Sequence, residues 1–246
     1  AYRIVLARYY GPEIYGLFSL AIMVLGWFVA FSSFGLTDGL LRYISWYRGG
    51  KKYKEIKHIL KISTIVLVSS GIFSAIILFL FSEYISINLF HSPELIIFLK
   101  IFSFLIPISL FANMSLSILQ AFEKISWNSF ILNVLQNLVK VISIIFLIFL
   151  GFKTSAVIFS YFLGILSMLL VSFLVCKYKI PEIFGKYELE NSAKNKISKE
   201  FFSYSWPLLL AGIVSNVLLW IDSFTLGYFK GPLEVGLYNA AIPIWF

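Results

Sequence analysis

Long apolar stretches separated by short polar connections dominate the chain. Most stretches reach or exceed the ~20 residues that an α-helix needs to cross the hydrocarbon core of a bilayer. The pattern therefore predicts an all-α, polytopic bundle of transmembrane helices. We expect spans at residues 14–47, 62–81, 95–121, 127–150, 155–175 and 201–229, with the outer end of a first helix at 1–10 and the start of an eighth after 231.

A segment near the start of the chain recurs near its end. Residues 11–22 read Gly-Pro-Glu-Ile-Tyr-Gly-Leu-Phe-Ser-Leu-Ala-Ile, and residues 231–242 read Gly-Pro-Leu-Glu-Val-Gly-Leu-Tyr-Asn-Ala-Ala-Ile, at a constant offset of 220 (231 − 11). Such a repeat predicts a duplicated helical unit. An even number of predicted spans separates the copies, so both enter the membrane in the same direction. This predicts a parallel repeat about a pseudo-two-fold axis along the membrane normal.

The repeat divides the chain into three regions, and we expect the whole to be a fragment of a protein with at least twelve spans. Residues 1–176 are predicted to form the first transmembrane lobe, with helices 1 to 6 and helix 1 truncated. Residues 177–200 form a polar cytoplasmic linker. Residues 201–246 begin the second lobe, with helix 7 and part of helix 8. Pro107 is expected to kink the span that contains it.

Composition and charge exclude several classes of function. Apolar and aromatic residues make up 60% of the chain and charged residues 13%, against about 25% charged residues in a soluble domain. The net charge of +8 comes largely from the loop at 48–61 and the linker, which the positive-inside rule assigns to the cytoplasm. The charge thus reflects membrane topology and not nucleic-acid binding, and both Gly-Pro turns are expected outside. The basic loops could also bind anionic lipid head groups.

Nothing in the sequence predicts an enzyme, a metal site or a cofactor. His58 and His91 are far apart, and Cys176 is the single cysteine, so no intrachain disulfide can form. Phosphate-binding loops, nucleophile elbows and metal-ligand spacings are absent from the sequence.

The most informative polar residues within spans lie around Lys140. Asn133, Gln136, Asn137 and Lys140 follow i, i+3, i+4, i+7 spacing, which predicts one polar helix face. A cation within a span is costly and is often functional. Asn133, Asn137 and Lys140 are therefore candidate substrate-binding residues on a hydrated cavity. The alternative is a helix–helix interface joined by amides, with Lys140 extending toward the membrane surface.

Arg3 and Asp222 form a second candidate site. Arg3 maps by the offset to Ser223, the neighbour of Asp222. Opposite charges thus occupy nearly equivalent places in the two repeats, where they could face each other or a common ligand. Each could instead pair locally, and Asn216, near Asp222 on the same helix, is a further candidate substrate-binding residue.

Asp38 and Arg42 are spaced i, i+4 near the cytoplasmic end of their span, which predicts an ion pair. Asp38 is a candidate gating residue or an interfacial anchor. Arg42 is a candidate substrate-binding residue, because a guanidinium matches the oxygens of a phosphate bidentately.

Three motifs resemble the polysaccharide-translocase family of O-antigen and related flippases, within the multidrug/oligosaccharidyl-lipid/polysaccharide superfamily. Arg8-Tyr-Tyr-Gly-Pro-Glu-Ile-Tyr-Gly-Leu-Phe-Ser19 closes the first span, and Phe34-Gly-Leu-Thr-Asp-Gly-Leu-Leu-Arg-Tyr-Ile-Ser45 ends the second. The third, Gly231-Pro-Leu-Glu-Val-Gly-Leu-Tyr-Asn239, follows Trp206-Pro207 and Asp222.

The resemblance implies a two-lobe, MATE-like transporter in the cytoplasmic membrane, with twelve to fourteen helices around a central cavity. It also implies a lipid-linked sugar substrate, flipped by alternating access, and possible polymerase or glycosyltransferase partners. A cationic cavity, as is common in the family, would suit Arg3, Arg42 and Lys140. Two alternatives stay open: a cation-coupled multidrug exporter of the same superfamily, centred on Asp222, and a non-transporting scaffold for envelope assembly. A dry, packed centre around Lys140 would favour the scaffold.

Overall fold

The computed structural model describes residues 2–152, 154–185, 189 and 191–241, and these form helices and short connections without a strand. Five helices are long and apolar enough to cross a membrane, or six if α4 and α5 form one bent span. The predicted all-α membrane bundle is confirmed. The helices are α1 (Tyr2–Ser32), α2 (Leu36–Gly49), α3 (Tyr53–Tyr84), α4 (Leu95–Ser103), α5 (Leu105–Ala121), α6 (Ile125–Ser129), α7 (Gln136–Phe149), α8 (Thr154–Lys179), α9 (Asn191–Phe229) and α10 (Pro232–Ala241).

The first Gly-Pro turn divides α1 into two segments that fold back on each other. Gly11 has φ 81°, a left-handed conformation that glycine adopts without steric cost. Pro12 then begins the second segment, where its missing N–H costs no hydrogen bond. The ring of Tyr2 contacts that of Phe18, with centroids 5.7 Å apart. The turn therefore joins two packed helices, as the sequence predicts.

The second Gly-Pro turn has the same construction and packs directly against the first. Gly231 has φ 92°. A Cβ built on Gly16 would overlap the carbonyl oxygen of Pro232, and a Cβ built on Gly236 would overlap the carbonyl oxygen of Pro12. The offset of 220 relates Gly16 to Gly236 and Pro12 to Pro232, so the two contacts are equivalent. The two copies thus meet through one self-complementary contact made twice, as expected around a two-fold axis.

The predicted continuous helix at 14–47 is wrong, because the chain breaks after Ser32. Phe34 (φ 49°) and Gly35 (φ 66°) are both left-handed, and a separate helix, α2, starts at Leu36. The physical reason lies in α9: a Cβ on Gly35 would overlap the carbonyl oxygen of Ser205. The glycine therefore lets the break approach the α9 backbone closely.

The span with Pro107 bends by 49° between α4 and α5, and the bend lies at Phe104 rather than at the proline. Pro107 is in the first turn of α5, where its missing N–H is tolerated. Other bounds also differ from prediction. Helix α3 extends back to Tyr53 through part of the basic loop, and two π-helical segments occur at Ile85–Leu89 and Phe130–Leu135.

The linker is partly helical. Helix α8 continues to Lys179, a 3₁₀ turn covers Pro181–Phe184, and α9 begins at Asn191. His58 on α3 hydrogen-bonds through Nε2 with the carbonyl oxygen of Lys194 and with Ser198 Oγ, both at 3.1 Å. Lys57 donates to the carbonyl oxygen of Gly185. These contacts attach the linker to α3. The rest of the predicted linker and the end of helix 8 lie outside the described residues.

Candidate functional site

The Lys140 side chain is packed between α7 and α8 and is 7% exposed. Gly164 on α8 makes room for it, since a Cβ there would overlap the aliphatic part of the lysine. The ammonium lies 4.2 Å from the ring centroid of Tyr161, within the range of a cation–π interaction. No carboxylate of the described residues lies within ion-pairing distance of it. Within the described part of the chain, Lys140 is thus a buried lysine without a carboxylate partner.

Tyr161 belongs to an aromatic cluster that holds this lysine in place. Its ring stacks on Phe102 at 5.2 Å and contacts Phe18 edge-on at 5.3 Å. Tyr2 completes the cluster through Phe18, and its hydroxyl lies 2.9 Å from Ser160 Oγ, next to Tyr161. Helices α1, α4 and α8 therefore all contribute rings to the aromatic cluster next to Lys140.

Arg3 is the second cation of this site. It is exposed, and its guanidinium lies within electrostatic range of Lys140, Tyr161 and Tyr15. The structure thus brings together two predicted site residues that are far apart in sequence. Two basic side chains with no carboxylate paired to them among residues 2–152, 154–185, 189 and 191–241 create a positive potential, which attracts anions.

The asparagines predicted on the same face as Lys140 point elsewhere. Asn133 and Asn137 are exposed, whereas Lys140 is buried. Asn137 Nδ2 donates to the backbone oxygen of Asn133 at 2.9 Å. The π-helical segment at Phe130–Leu135 changes the register before α7, so the α-helical spacing does not hold between Asn133 and Lys140. Asn137 lies in α7 with Lys140, and it differs from the lysine in its exposure. Substrate binding by Asn133 and Asn137 stays a prediction.

A polar cleft lies where α1 and α2 meet α9, and it contains Asp38 and Asn216. The cleft has a volume of about 280 Å³. Gly26 lets α1 approach α9 closely at this cleft, since a Cβ on Gly26 would lie 3.3 Å from Asn216 Oδ1. Its polar lining residues are Ser33, Thr37, Asp38, Asn113 and Asn216. Asn113 was not among the predicted site residues, although a mid-span asparagine is a signal that sequence reasoning can use.

Asp222 is paired locally. Its carboxylate accepts a hydrogen bond from Tyr238 Oη at 2.7 Å, and the neighbouring Ser223 Oγ accepts one from Asn239 Nδ2 at 3.0 Å. By the offset of 220, Asp222 and Tyr238 are equivalent to Tyr2 and Phe18. The two arms of the hairpin are therefore joined by a ring contact in the first copy and by a hydrogen bond in the second. Arg3 and Asp222 form no ion pair in this structure.

The predicted ion pair between Asp38 and Arg42 is wrong. The guanidinium of Arg42 lies 4.0 Å from the ring centroid of Tyr204 on α9 instead, while Asp38 lines the polar cleft. The ring of Tyr204 can compete with Asp38 for Arg42 because α9 packs beside α2. The sequence of α2 alone does not reveal this neighbour.

Arg42 lies beside an aromatic group between α2 and α9. Tyr43 contacts Phe201 edge-on at 5.6 Å, and its hydroxyl donates to the backbone oxygen of Glu200 at 3.2 Å. Burial, and next the Glu200 carboxylate, raise the pKa of the Tyr43 hydroxyl. The contact of Tyr43 with α9 depends on packing between distant segments, and the sequence of α2 alone does not predict it.

Comparison with known proteins identifies the family. The family model described as polysaccharide biosynthesis protein matches residues 1–245. A relative from Shigella flexneri, with the provisional name of O-antigen transporter, is 25% identical over 240 residues, which cover 96% of this chain and 55% of that protein. The chain thus spans about half the length of this curated relative. No solved structure matches significantly. The match over almost the whole sequence, together with the membrane helices, shows that the chain belongs to the polysaccharide biosynthesis protein family.

Proposed function

We propose that the chain is the first lobe, with the start of the second, of a flippase that moves a lipid-linked oligosaccharide across the cytoplasmic membrane. The observation that carries the proposal is the pair of basic side chains, Arg3 and Lys140, for which the described residues supply no acidic partner. A buried charge is stabilised by an opposite charge. The diphosphate of a lipid-linked sugar would supply that charge during its passage.

The two repeats support a MATE-like arrangement with alternating access. The copies touch at their Gly-Pro turns through a self-complementary contact, and the polar cleft lies between the first copy and α9. Movement between the two lobes would open the cleft to one side of the membrane at a time. The intact protein would then contain at least twelve helices around one cavity.

The proposed substrate class also follows from the related proteins. The family description names polysaccharide biosynthesis, and the relative's name refers to O-antigen transport. Such a protein is a transporter rather than an enzyme and needs no cofactor. Its partners would be the lipid-linked sugar and membrane lipids, with a polymerase or glycosyltransferase acting on the same material.

Two observations favour the alternatives. Asp38 lines the polar cleft without a cationic partner among the described residues, which suits a cation-coupled multidrug exporter. Lys140 is tightly packed, which suits a non-transporting scaffold for envelope assembly. The exporter would depend on Asp38 and tolerate neutral replacements of Lys140. The scaffold would show no transport activity.

Complementation of a flippase-null strain tests the proposal. The intact gene should restore surface polysaccharide, and the Lys140→Ala variant should lose most of that restoration at equal membrane abundance. Lys100→Ala, which removes another lysine located on α4, is the matched control and should complement normally. Full complementation by Lys140→Ala would refute the role of the buried cation, and failure of the intact gene would favour the scaffold.

A further inference from the structure

An aromatic pocket lies between α3, the end of α1 and α9. Its volume is about 760 Å³, within the range of ligand sites. Four aromatic side chains surround it, and all four are at least 41% exposed: Phe31, Phe34, Phe73 and Trp206. Large exposed aromatic surface at a cavity indicates a site for an apolar ligand.

This aromatic pocket adjoins the polar cleft. Leu209 lines both cavities. Ser32 and Phe34 line the pocket, while the neighbouring residues Ser33 and Gly35 line the cleft. An apolar cavity and a polar cavity therefore share one wall, at the break between α1 and α2. A ligand with a long apolar chain and a polar head group fits such a pair.

The depth of the pocket also fits a membrane lipid. The α1 segment from Pro12 to Ser32 is about 31 Å long at 1.5 Å per residue, so it crosses the hydrocarbon core. The pocket lies at the end of this segment opposite the Gly-Pro turn and along the middle of α3, from Val66 to Ser74. A polyprenyl chain in the hydrocarbon core would reach the pocket at this level.

Hydrogen bonds fix one wall of the pocket. Ser32 Oγ donates to Ser74 Oγ at 2.7 Å, and Ser70 Oγ donates to the backbone oxygen of Ser32 at 2.7 Å. These bonds join α1 to α3. On the opposite wall, Trp206 is 58% exposed. A preformed wall with an accessible aromatic face opposite it can hold a flexible chain without large rearrangement.

We propose that the aromatic pocket binds the polyprenyl chain of the lipid-linked substrate. This inference rests on the proposed flippase function. It locates where the chain stays before the head group moves toward Arg3 and Lys140.

Photo-crosslinking in the intact protein tests the site. Benzoylphenylalanine replaces Phe73, and in a control protein it replaces the adjacent Ile72, which faces a separate apolar groove. The probe is radiolabelled polyprenyl diphosphate without sugar. We expect at least tenfold more label at position 73 than at 72, removed by unlabelled polyprenyl diphosphate and retained in excess phosphatidylglycerol. Equal labelling at both positions, or equal competition by phosphatidylglycerol, would overturn the proposal.

A pair of filling variants on α3 gives a second measurement. Ser69 lines the pocket and hydrogen-bonds only within its own helix, to Ile65 and Val66, so Ser69→Phe fills the pocket without breaking an interhelical bond. Ala75→Phe fills the separate groove. Polyprenyl diphosphate binding, measured by native mass spectrometry, should fall at least tenfold in the first variant and stay within twofold in the second. If Ser69→Phe does not fold, Ser69→Leu replaces it.

The outcomes separate this proposal from the function on which it rests. Unchanged binding in the Ser69 variants, with transport by the native protein intact, would refute the pocket alone. Absence of transport by the native protein would refute the flippase function even if polyprenyl diphosphate binds.

Discussion

The carbonyl oxygen of Pro232 occupies the space that a side chain on Gly16 would need. An equivalent contact joins the carbonyl oxygen of Pro12 and Gly236. We expect Gly16→Ala and Gly236→Ala to separate the two hairpins, each with a cost of at least 1–3 kcal/mol, as for other overpacked sites. Thermal unfolding of the intact protein in detergent measures the effect.

Gly212→Ala is the control for this prediction. Gly212 also lies in a helix, but no described atom beyond its chain neighbours and the adjacent backbone of its own helix lies within 4 Å of the Cβ that would be added. Alanine is the better helix former by about 1 kcal/mol, so this variant should be neutral or slightly stabilised. Equal unfolding temperatures for Gly16→Ala and Gly212→Ala would contradict the close contact.

Gly164 and Lys140 should be coupled. Gly164→Ala alone overlaps the lysine stem and should destabilise the protein by about 1–3 kcal/mol. In the Lys140→Ala background the new methyl group has room, so that cost should disappear. A double-mutant cycle on unfolding free energies measures the coupling. Additive effects would show that Lys140 does not lie against α8.

Arg42 should be coupled to Tyr204 and not to Asp38. Contact with an exposed aromatic ring contributes about 0.5–1 kcal/mol, and Tyr204→Leu should remove it. Two double-mutant cycles compare Arg42→Gln with Tyr204→Leu and with Asp38→Asn. Coupling above ~0.5 kcal/mol in the Asp38 cycle and none in the Tyr204 cycle would restore the ion pair that the helix spacing predicts.

Both Gly-Pro turns should face the outside of the cell. Single cysteines are introduced at Glu13 and Leu233 in a Cys176→Ser background, with Lys54→Cys as the reference for the opposite side. An impermeant thiol reagent added to intact cells should label the first two positions and spare the third. Labelling of only one turn would contradict the parallel repeat.

The sequence predicts those features that depend on local pattern. Apolar stretches identify the membrane helices, and the constant offset between Gly11 and Gly231 identifies the repeat. Features that depend on packing between distant segments are harder to predict. The break at Gly35 needs the backbone of α9 beside it, and the burial of Lys140 needs Gly164 on another helix.

The residues of the candidate site also divide into those that the local sequence reveals and those that only packing between distant segments reveals. Lys140, Arg3 and Asp38 are recognisable from the sequence because ionisable side chains in spans are costly. The aromatic partners of Lys140 and Arg42 are not, because Tyr161 and Tyr204 look like ordinary membrane aromatics until the fold brings them close. The π-helical segment before α7 also shifts the register on which the predicted asparagine face depends.

Transbilayer movement of a lipid-linked oligosaccharide in proteoliposomes tests the central claim most directly. The intact native protein should move the substrate well above the rate in protein-free vesicles. The double variant Arg3→Gln/Lys140→Met, which keeps an apolar stem against Gly164, should lose at least 90% of that rate, and Lys100→Met should retain it. Movement at the native rate by the double variant, or none by the native protein, would contradict the account.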